Sequence, residues 1–286
     1  MNTKQRVWLI TGVSTGFGRE LARAVLARGD RVVGTARNTN QVAEFNALAP
    51  GRAHGVKLDV TDRSAIGPVV DQAVRDLGQL DVVVNNAGYG LFGAVEEISD
   101  AEARQVMETN FFGLMAVTQA ALPHLRSRGA GNIVNVSSVA GFMGIPGGGL
   151  YCASKYAIEG FSESLALELA PFNIHVMIVE PGGFRTNFSG ASKNLAARTL
   201  GAYENTPAGK TRALIGAYHG QEPGDPALAA KAIIDAVTAA KPPLRLVLGN
   251  QALSWARGKL KSLADNYDEW AAVSAACDAP AARPAT

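Results

Sequence analysis

"VWLITGVSTGFGRELARAVLARG", residues 7–29, decides the fold. Its first four residues are apolar, as in a short buried strand. "TGVSTGFG" (11–18) follows as a glycine-rich loop, and "GRELARAVLARG" (18–29) reads as a helix with Gly29 as its stop. A strand that passes through glycines into a helix N-terminus is the start of a βαβ unit. In that position glycines let the backbone turn tightly and approach a pyrophosphate, which rests on the helix N-terminus. The spacing Gly12, Gly16, Gly18 departs from the usual G-x-G-x-x-G, and a tight turn without a ligand is the alternative.

The alternation continues outward. "RVVGTA" (31–36), "HGVKLDV" (54–60), "DVVVNNAG" (81–88), "NIVNVSS" (132–138), "NIHVMIVEPGG" (173–183) and "LRLVLG" (244–249) read as strands. Helices are expected at 18–29, at 40–49 with Asn40 as cap, and at 62–78 capped by Asp62. Two more fall within 100–128, then 151–170, 227–240 and 251–276. Strands apolar on both faces, alternating with helices, imply the α/β class. The expected architecture is a Rossmann-type doubly wound parallel sheet of about seven strands, with helices on both faces. No linker divides the chain, so a single domain is expected over 1–277, with a disordered tail at 278–286. Residues 188–222 read as an irregular segment forming a mobile substrate lid, and 251–276 as a C-terminal helical segment.

Composition excludes several classes. The chain has 286 residues, 47% of them hydrophobic, and a net charge of +2, which gives no basis for a nucleic-acid partner. No apolar run reaches the roughly 20 residues of a membrane span, and the N-terminus lacks a signal peptide's apolar region. Two cysteines, Cys152 and Cys277, make no disulfide framework, so the expected location is the cytoplasm. The four histidines do not pair at metal-ligand spacing, and no metal is expected.

Strand two ends in "GTAR" with no acidic residue to bond a ribose 2′-hydroxyl. Arg37 there suits a 2′-phosphate, although a surface arginine is common at a strand end. "YCASK" (151–155) sets a phenol and an ammonium one helical turn apart.

Taken in order, "TGVSTGFG", "LDV" (58–60), "NNAG" (85–88), Asn110, "NVSS" (135–138), "YCASK" and "PGGFRT" (181–186) resemble the short-chain dehydrogenase/reductase family over about residues 5–190. The resemblance implies a catalytic tetrad of Asn110, Ser138, Tyr151 and Lys155, with Ser138 rather than Ser137 as the match. It implies a pyrophosphate cradle of Gly12, Ser14, Thr15, Gly16, Phe17 and Gly18, and Arg37 on the 2′-phosphate. Thr15 stands where many NADP-preferring members carry a basic residue, so the preference rests on Arg37. Asp59 and Val60 would flank the adenine; Asn86, Ala87 and Gly88 would edge the adenosine ribose. Pro181, Gly182, Phe184 and Thr186 would position the nicotinamide, with Tyr151 and Lys155 also touching the cofactor. Lys155 would lower the phenol's proton affinity, Ser138 would donate to the carbonyl oxygen, and Asn110 would hold a water linking the lysine to solvent.

The expected activity is interconversion of a carbonyl and a secondary alcohol with NADP(H), NAD being less favoured. Candidate substrate contacts are Tyr89, Phe92, Val139, Phe142, Ile145 and Phe188, with Leu91, Met143, Leu150, Tyr203 and Trp255 as further candidates. They are largely apolar and lack an arginine cluster, which points to a bulky hydrophobic ketone or alcohol. The alternatives are a non-catalytic NADP(H)-binding regulator, which needs no tetrad, and an epimerase or dehydratase, which would call for a larger C-terminal part. Family members pair through the helices at 100–128 and 151–170, so a homodimer or homotetramer is expected.

Overall fold

The computed structural model describes residues 5–190 and 193–278; the expected disordered tail falls, beyond Asp278, outside the described residues. In chain order the first half supplies β1 (Val7–Thr11), α1 (Gly16–Ala27), β2 (Arg31–Ala36), α2 (Thr39–Asn46), β3 (Ala53–Lys57), α3 (Arg63–Leu77) and β4 (Val82–Asn85). Next come β5 (Gly90–Phe92), α4 (Asp100–Met107), a π-helical turn (Glu108–Phe112), α5 (Gly113–Arg128), β6 (Gly131–Val136), α6 (Gly149–Leu169) and β7 (Ile174–Pro181). The remainder holds β8 (Lys193–Leu195), α7 (Pro207–Ala217), α8 (Pro226–Thr238), β9 (Arg245–Leu248), α9 (Asn250–Glu269) and α10 (Ala271–Ala275).

Seven strands form one sheet in the order β3-β2-β1-β4-β6-β7-β9, every pair parallel. The order reverses between β1 and β4, which opens a crevice at their carboxyl ends. Alternate residues of each strand feed opposite cores. Trp8 and Ile10 pack with Leu21 and Val25 of α1 and Ile233 and Ile234 of α8. Leu9 points the other way, among Ile66 and Val70 of α3, Val117 and Leu125 of α5, and Leu165 of α6. That two-sided burial is why the strands read as continuous apolar runs.

Four polar side chains cross the second core. Asn85 of β4 donates to Thr118 of α5 (2.9 Å) and to Asn135 of β6 (2.9 Å), and Asn135 donates to Ser162 of α6 (2.8 Å). Each is buried, so the bonds fix how these elements sit against one another.

Two sequence expectations change, the cap of α2 and the character of 188–222, and one is refined. Asn38, not Asn40, caps α2 by accepting from the Gln41 amide. The stretch at 100–128 is two helices joined through a π-turn that contains Asn110. Residues 188–222 are not irregular: they contain β8, which pairs with β5 in a small second sheet, and the helix α7. Thr206 caps α7 and Pro207 occupies its first turn. Among the described residues no helix is long and apolar enough to cross a membrane.

Candidate active site

The glycine loop follows from three local demands. Gly12 (φ 73°) and Gly16 (φ 60°) lie in the left-handed region, which residues with a Cβ rarely enter. Gly18 answers to space instead. A Cβ there would lie 2.3 Å from the Gly12 carbonyl oxygen and 2.4 Å from Asn86 Nδ2. Thus "TGVSTGFG" departs from the commoner spacing while still letting α1 approach the loop closely.

The end of β1 is locked to the end of β4. The Thr11 hydroxyl accepts from the Asn86 and Ala87 amides (both 3.0 Å), and Asn86 Nδ2 donates to the carbonyls of Thr11 (2.9 Å) and Gly12 (3.1 Å). These bonds hold open the crevice at the switch point. A cleft of about 370 Å³ runs along it, lined by Gly12, Ser14, Thr15, Gly16 and Phe17 on one side and Asn86, Ala87 and Gly88 on the other. Arg37, exposed at the end of β2, Asp59 and Val60 line its far part, and Thr186 and Phe188 its near part. Asp59 accepts from the Thr61 amide (3.0 Å) and hydroxyl (2.8 Å).

Not every expected contact is there. Gly18 does not line the cleft; it is buried under the loop as described above. Pro181 is buried in β7. Gly182 and Phe184 line a separate cavity, of about 620 Å³, beside α8 and β9, and the Phe184 ring packs edge-on to Phe17 with centroids 5.0 Å apart. Conversely, Gln105, Thr109, Asn187 and Asn194 line the cleft and were not expected there. Asn194 comes from β8, whose pairing over three residues is too short to read from sequence.

Helix α6 brings the phenol and ammonium to the inner end of the cleft. Tyr151 is 5% exposed, and the Ser138 hydroxyl, just after β6, is near enough to act on its phenol. Ser138 also accepts from the Ala140 amide (3.1 Å), which orients it. Lys155 Nζ donates to the Val136 carbonyl (2.8 Å) and lies 5.8 Å from the Tyr151 ring centroid. Asn110 in the π-turn is 1% exposed. Its side chain accepts from the Tyr89 amide and donates to the Tyr89 carbonyl and Ser154 hydroxyl, each at 3.0 Å. Gly88 is the joint: a Cβ on it would lie 2.9 Å from Asn110 Oδ1 and 3.9 Å from Lys155 Nζ. None of the four tetrad residues lines the cleft itself: Asn110 and Lys155 lie behind Gly88 and Tyr89, and Tyr151 behind Phe188, which do. A π-turn at that point has no simple sequence signature, and such turns are frequent at functional sites.

Electrostatically the site is dry. Burial pushes the Tyr151 phenol well above its usual range, despite the nearby Ser138 hydroxyl. Burial also pulls Lys155 down to about 8, against the pull of the Glu159 carboxylate. Burial is the largest cause of the phenol's rise and Lys155 is not among the others, so the expected lowering of the phenol's proton affinity by the lysine is not seen here. Burial likewise raises the Cys152 thiol, as suits a buried packing residue.

Phe92 and Phe188 cover Tyr151, with ring centroids 5.9 and 5.4 Å away, and Ile145 and Ile215 complete the apolar wall. Ile215 belongs to α7 and was not anticipated. Val139 is buried in the turn after Ser138, Phe142 closes that turn half-buried, and Tyr89 sits half-buried at the cleft. Tyr203 and Trp255 lie elsewhere: the first donates to Glu96 (2.9 Å), the second is exposed on α9.

The 188–222 segment is anchored by two carboxylates and one main-chain carbonyl. Glu97, 2% exposed, accepts from the Leu200 amide (2.8 Å) and pairs with Arg212 of α7 (2.7 Å). Glu102 accepts from the Ala197 amide (2.9 Å), and the Glu96 carbonyl from Arg198 (2.9 Å).

The family model described as "short chain dehydrogenase" matches residues 6–195. The chain is 35% identical over 278 residues to Oxidoreductase BOA17 of Botryotinia fuckeliana, covering 95% of this chain and 98% of that one. It is 37% identical over 263 residues to human retinol dehydrogenase 8, covering 86% and 82%. A solved short-chain dehydrogenase from Streptomyces avermitilis superposes with a TM-score of 0.89 at 44% identity, covering 96% of this chain and 100% of that one. Two more distant solved structures share the fold. One, from Burkholderia phymatum with NAD, has a TM-score of 0.78, 23% identity and coverage of 90% and 93%. The other, from Burkholderia cenocepacia with NADP, has 0.73, 24%, and 94% and 98%.

Proposed function

The chain belongs to the short-chain dehydrogenase/reductase family of oxidoreductases, and on that premise we propose an NADP(H)-dependent enzyme that interconverts a bulky hydrophobic ketone and its secondary alcohol. The observation that carries this reading is that Asn110 and Lys155 meet at Gly88, in the wall of a cleft built around a glycine loop, with Tyr151 one helical turn from Lys155 on α6.

The cleft suits a dinucleotide. Gly12 and Gly16 turn the backbone toward the α1 N-terminus, which favours phosphate. Arg37 is the cation placed for a 2′-phosphate, and Asp59 has acceptor capacity for an adenine amine. When bound, the nicotinamide would supply the hydride. The chain's own residues handle position and charge. Ser138 Oγ donates to the substrate's carbonyl oxygen as negative charge develops on it. Tyr151 Oη, kept protonated by its dry surroundings, delivers its proton to the same oxygen. Lys155 Nζ then offsets the charge left on the phenol oxygen. Asn110 fixes the loop at Tyr89 and so holds Gly88 and the lysine in register. Phe92, Phe188, Ile145 and Ile215 exclude water and offer an apolar face to the substrate. Human retinol dehydrogenase 8 is named for a large apolar alcohol, which supports that class.

Both cysteines are free, which suits a reducing compartment, and we place the enzyme in the cytoplasm. Tyr156 and Leu167 stand exposed on α6, which supports pairing of subunits there. The deciding test is Tyr151→Phe with NADPH and a panel of aryl and long-chain ketones. Turnover should fall roughly 10²- to 10⁴-fold with the fold intact. Turnover near that of the parent would end this reading.

A further inference from the structure

Helix α6 carries a second chemical stripe below the phenol and ammonium. Tyr151, Lys155, Glu159 and Glu163 recur every fourth residue on one face. Glu159 is 6% exposed and Glu180 of β7 is 2% exposed. One guanidinium serves both. Arg245 of β9 lies 3.1 Å from Glu159 and 3.6 Å from Glu180, yet its well-formed hydrogen bond goes to Glu163 at 2.9 Å. Among the described residues neither Glu159 oxygen has a well-formed hydrogen-bond partner, and neither does Ser137 Oγ beside it. Two adjacent buried carboxylates do not both ionise.

We propose that Glu159 and Glu180, buried side by side on one guanidinium, share one proton, and that the remaining negative charge holds Lys155 as an ammonium. This makes Glu159 and Glu180 positioning residues, acting through Lys155 and touching neither substrate nor cofactor. Facing Glu159 are Lys155 and Glu163 on its own helix, Arg245 from β9, Glu180 from β7 and Ser137 after β6. Burial, then the Glu159 charge, raises Glu180 to about 7, which is consistent with a proton kept there. The carboxylate of Glu159 is the group that opposes the loss of Lys155's proton. It also accounts for Gly141, where a Cβ would lie 2.5 Å from Ser137 Oγ and 2.8 Å from Glu159 Oε1.

The role assigned to the pair rests on the proposed part of Lys155 in catalysis, so two independent readouts are needed. Difference infrared spectroscopy of the full chain between acidic and alkaline buffer should show a carboxylic-acid carbonyl band near neutral pH that Glu180→Gln removes. This requires no turnover. In the pH profile of ketone reduction, Glu159→Gln should move the alkaline limb down by about one unit, because it deletes the charge that holds Lys155 protonated. Glu159→Asp gives a smaller shift in the same direction should the glutamine variant not fold. A band that survives Glu180→Gln overturns the shared proton. A limb unmoved in Glu159→Gln or Glu159→Asp overturns the link to Lys155. Normal turnover in Tyr151→Phe would remove the catalytic reading, while the infrared band would still decide the pair.

Discussion

Gly18→Ala tests whether the glycine loop is shaped by contact. The added methyl would sit 2.3 Å from the Gly12 carbonyl oxygen and 2.4 Å from Asn86 Nδ2. Neither atom can swing aside cheaply: one is backbone, and the other donates to both Thr11 and Gly12. Forced overpacking costs about 1–3 kcal/mol. Losing the two Asn86 hydrogen bonds adds about 1 kcal/mol each. The combined penalty of about 3–5 kcal/mol should lower Tm by roughly 6–10 °C, at about 2 °C per kcal/mol for a chain this long. The same shift moves the cradle, so titration calorimetry should show weaker NADPH binding. Gly160→Ala is the matched control. It lies in α6 with nothing within 4 Å of the new methyl, and alanine should stabilise the helix by up to about 1 kcal/mol. Scanning calorimetry on the pair reads both. If Gly18→Ala melts with the parent and binds NADPH as tightly, the close-approach argument is wrong.

Arg37→Asp should weaken NADPH binding roughly 10- to 100-fold and shift preference toward NADH, as loss of charge-assisted bonds to a 2′-phosphate requires. Steady-state kinetics with both cofactors checks it; an unchanged ratio would clear Arg37 of the selector role. Arg212→Met strands the buried Glu97 carboxylate without its cation, so limited proteolysis within 197–217 should run roughly tenfold faster or more. Digestion at the parent rate would mean the ion pair does not anchor the segment. Lys155 predicts a pH dependence of stability with nothing bound. Its folded value of about 8 lies below the usual lysine value of about 10.4, so the unfolded chain binds more protons between them. Stability should therefore rise by up to about 3 kcal/mol between roughly pH 8 and 10, and Lys155→Met should flatten that rise in urea titrations.

The sheet was legible because its strands are buried on both faces, so each announces itself as an apolar run whatever its partners. The glycine loop, "NNAG" and "YCASK" were legible because backbone geometry, a strand-to-strand lock and a one-turn spacing each depend on local sequence. What stayed hidden depends on contacts between distant segments. β5 and β8 are three residues each and exist only by pairing with one another across a hundred positions. Nothing in the sequence sets Glu97 apart; its burial comes from Leu200 and Arg212, which close over it. Helix α7 did leave a trace, since "TP" at 206–207 is a cap followed by a first-turn proline, but its flanking residues carry no strong apolar period. The proton affinity of Tyr151 was misjudged for the same reason: spacing shows the nearby lysine but not the two phenylalanine rings that dry the site.

The anchoring of 188–222 bears on how substrate range could be transplanted. The dinucleotide cleft draws mainly on residues before 110, whereas Phe188 and Ile215, two of the four side chains walling the phenol, come from one later stretch. Exchanging that stretch with a relative's looks like the obvious graft. Yet its hydrogen bonds run to Glu96, Glu97 and Glu102, which would stay behind in the host. A graft that ignores them would leave the Glu97 carboxylate buried without its partners. The exchangeable cassette is therefore discontinuous, the later stretch together with residues 94–102, and donor and host must be cut at both places.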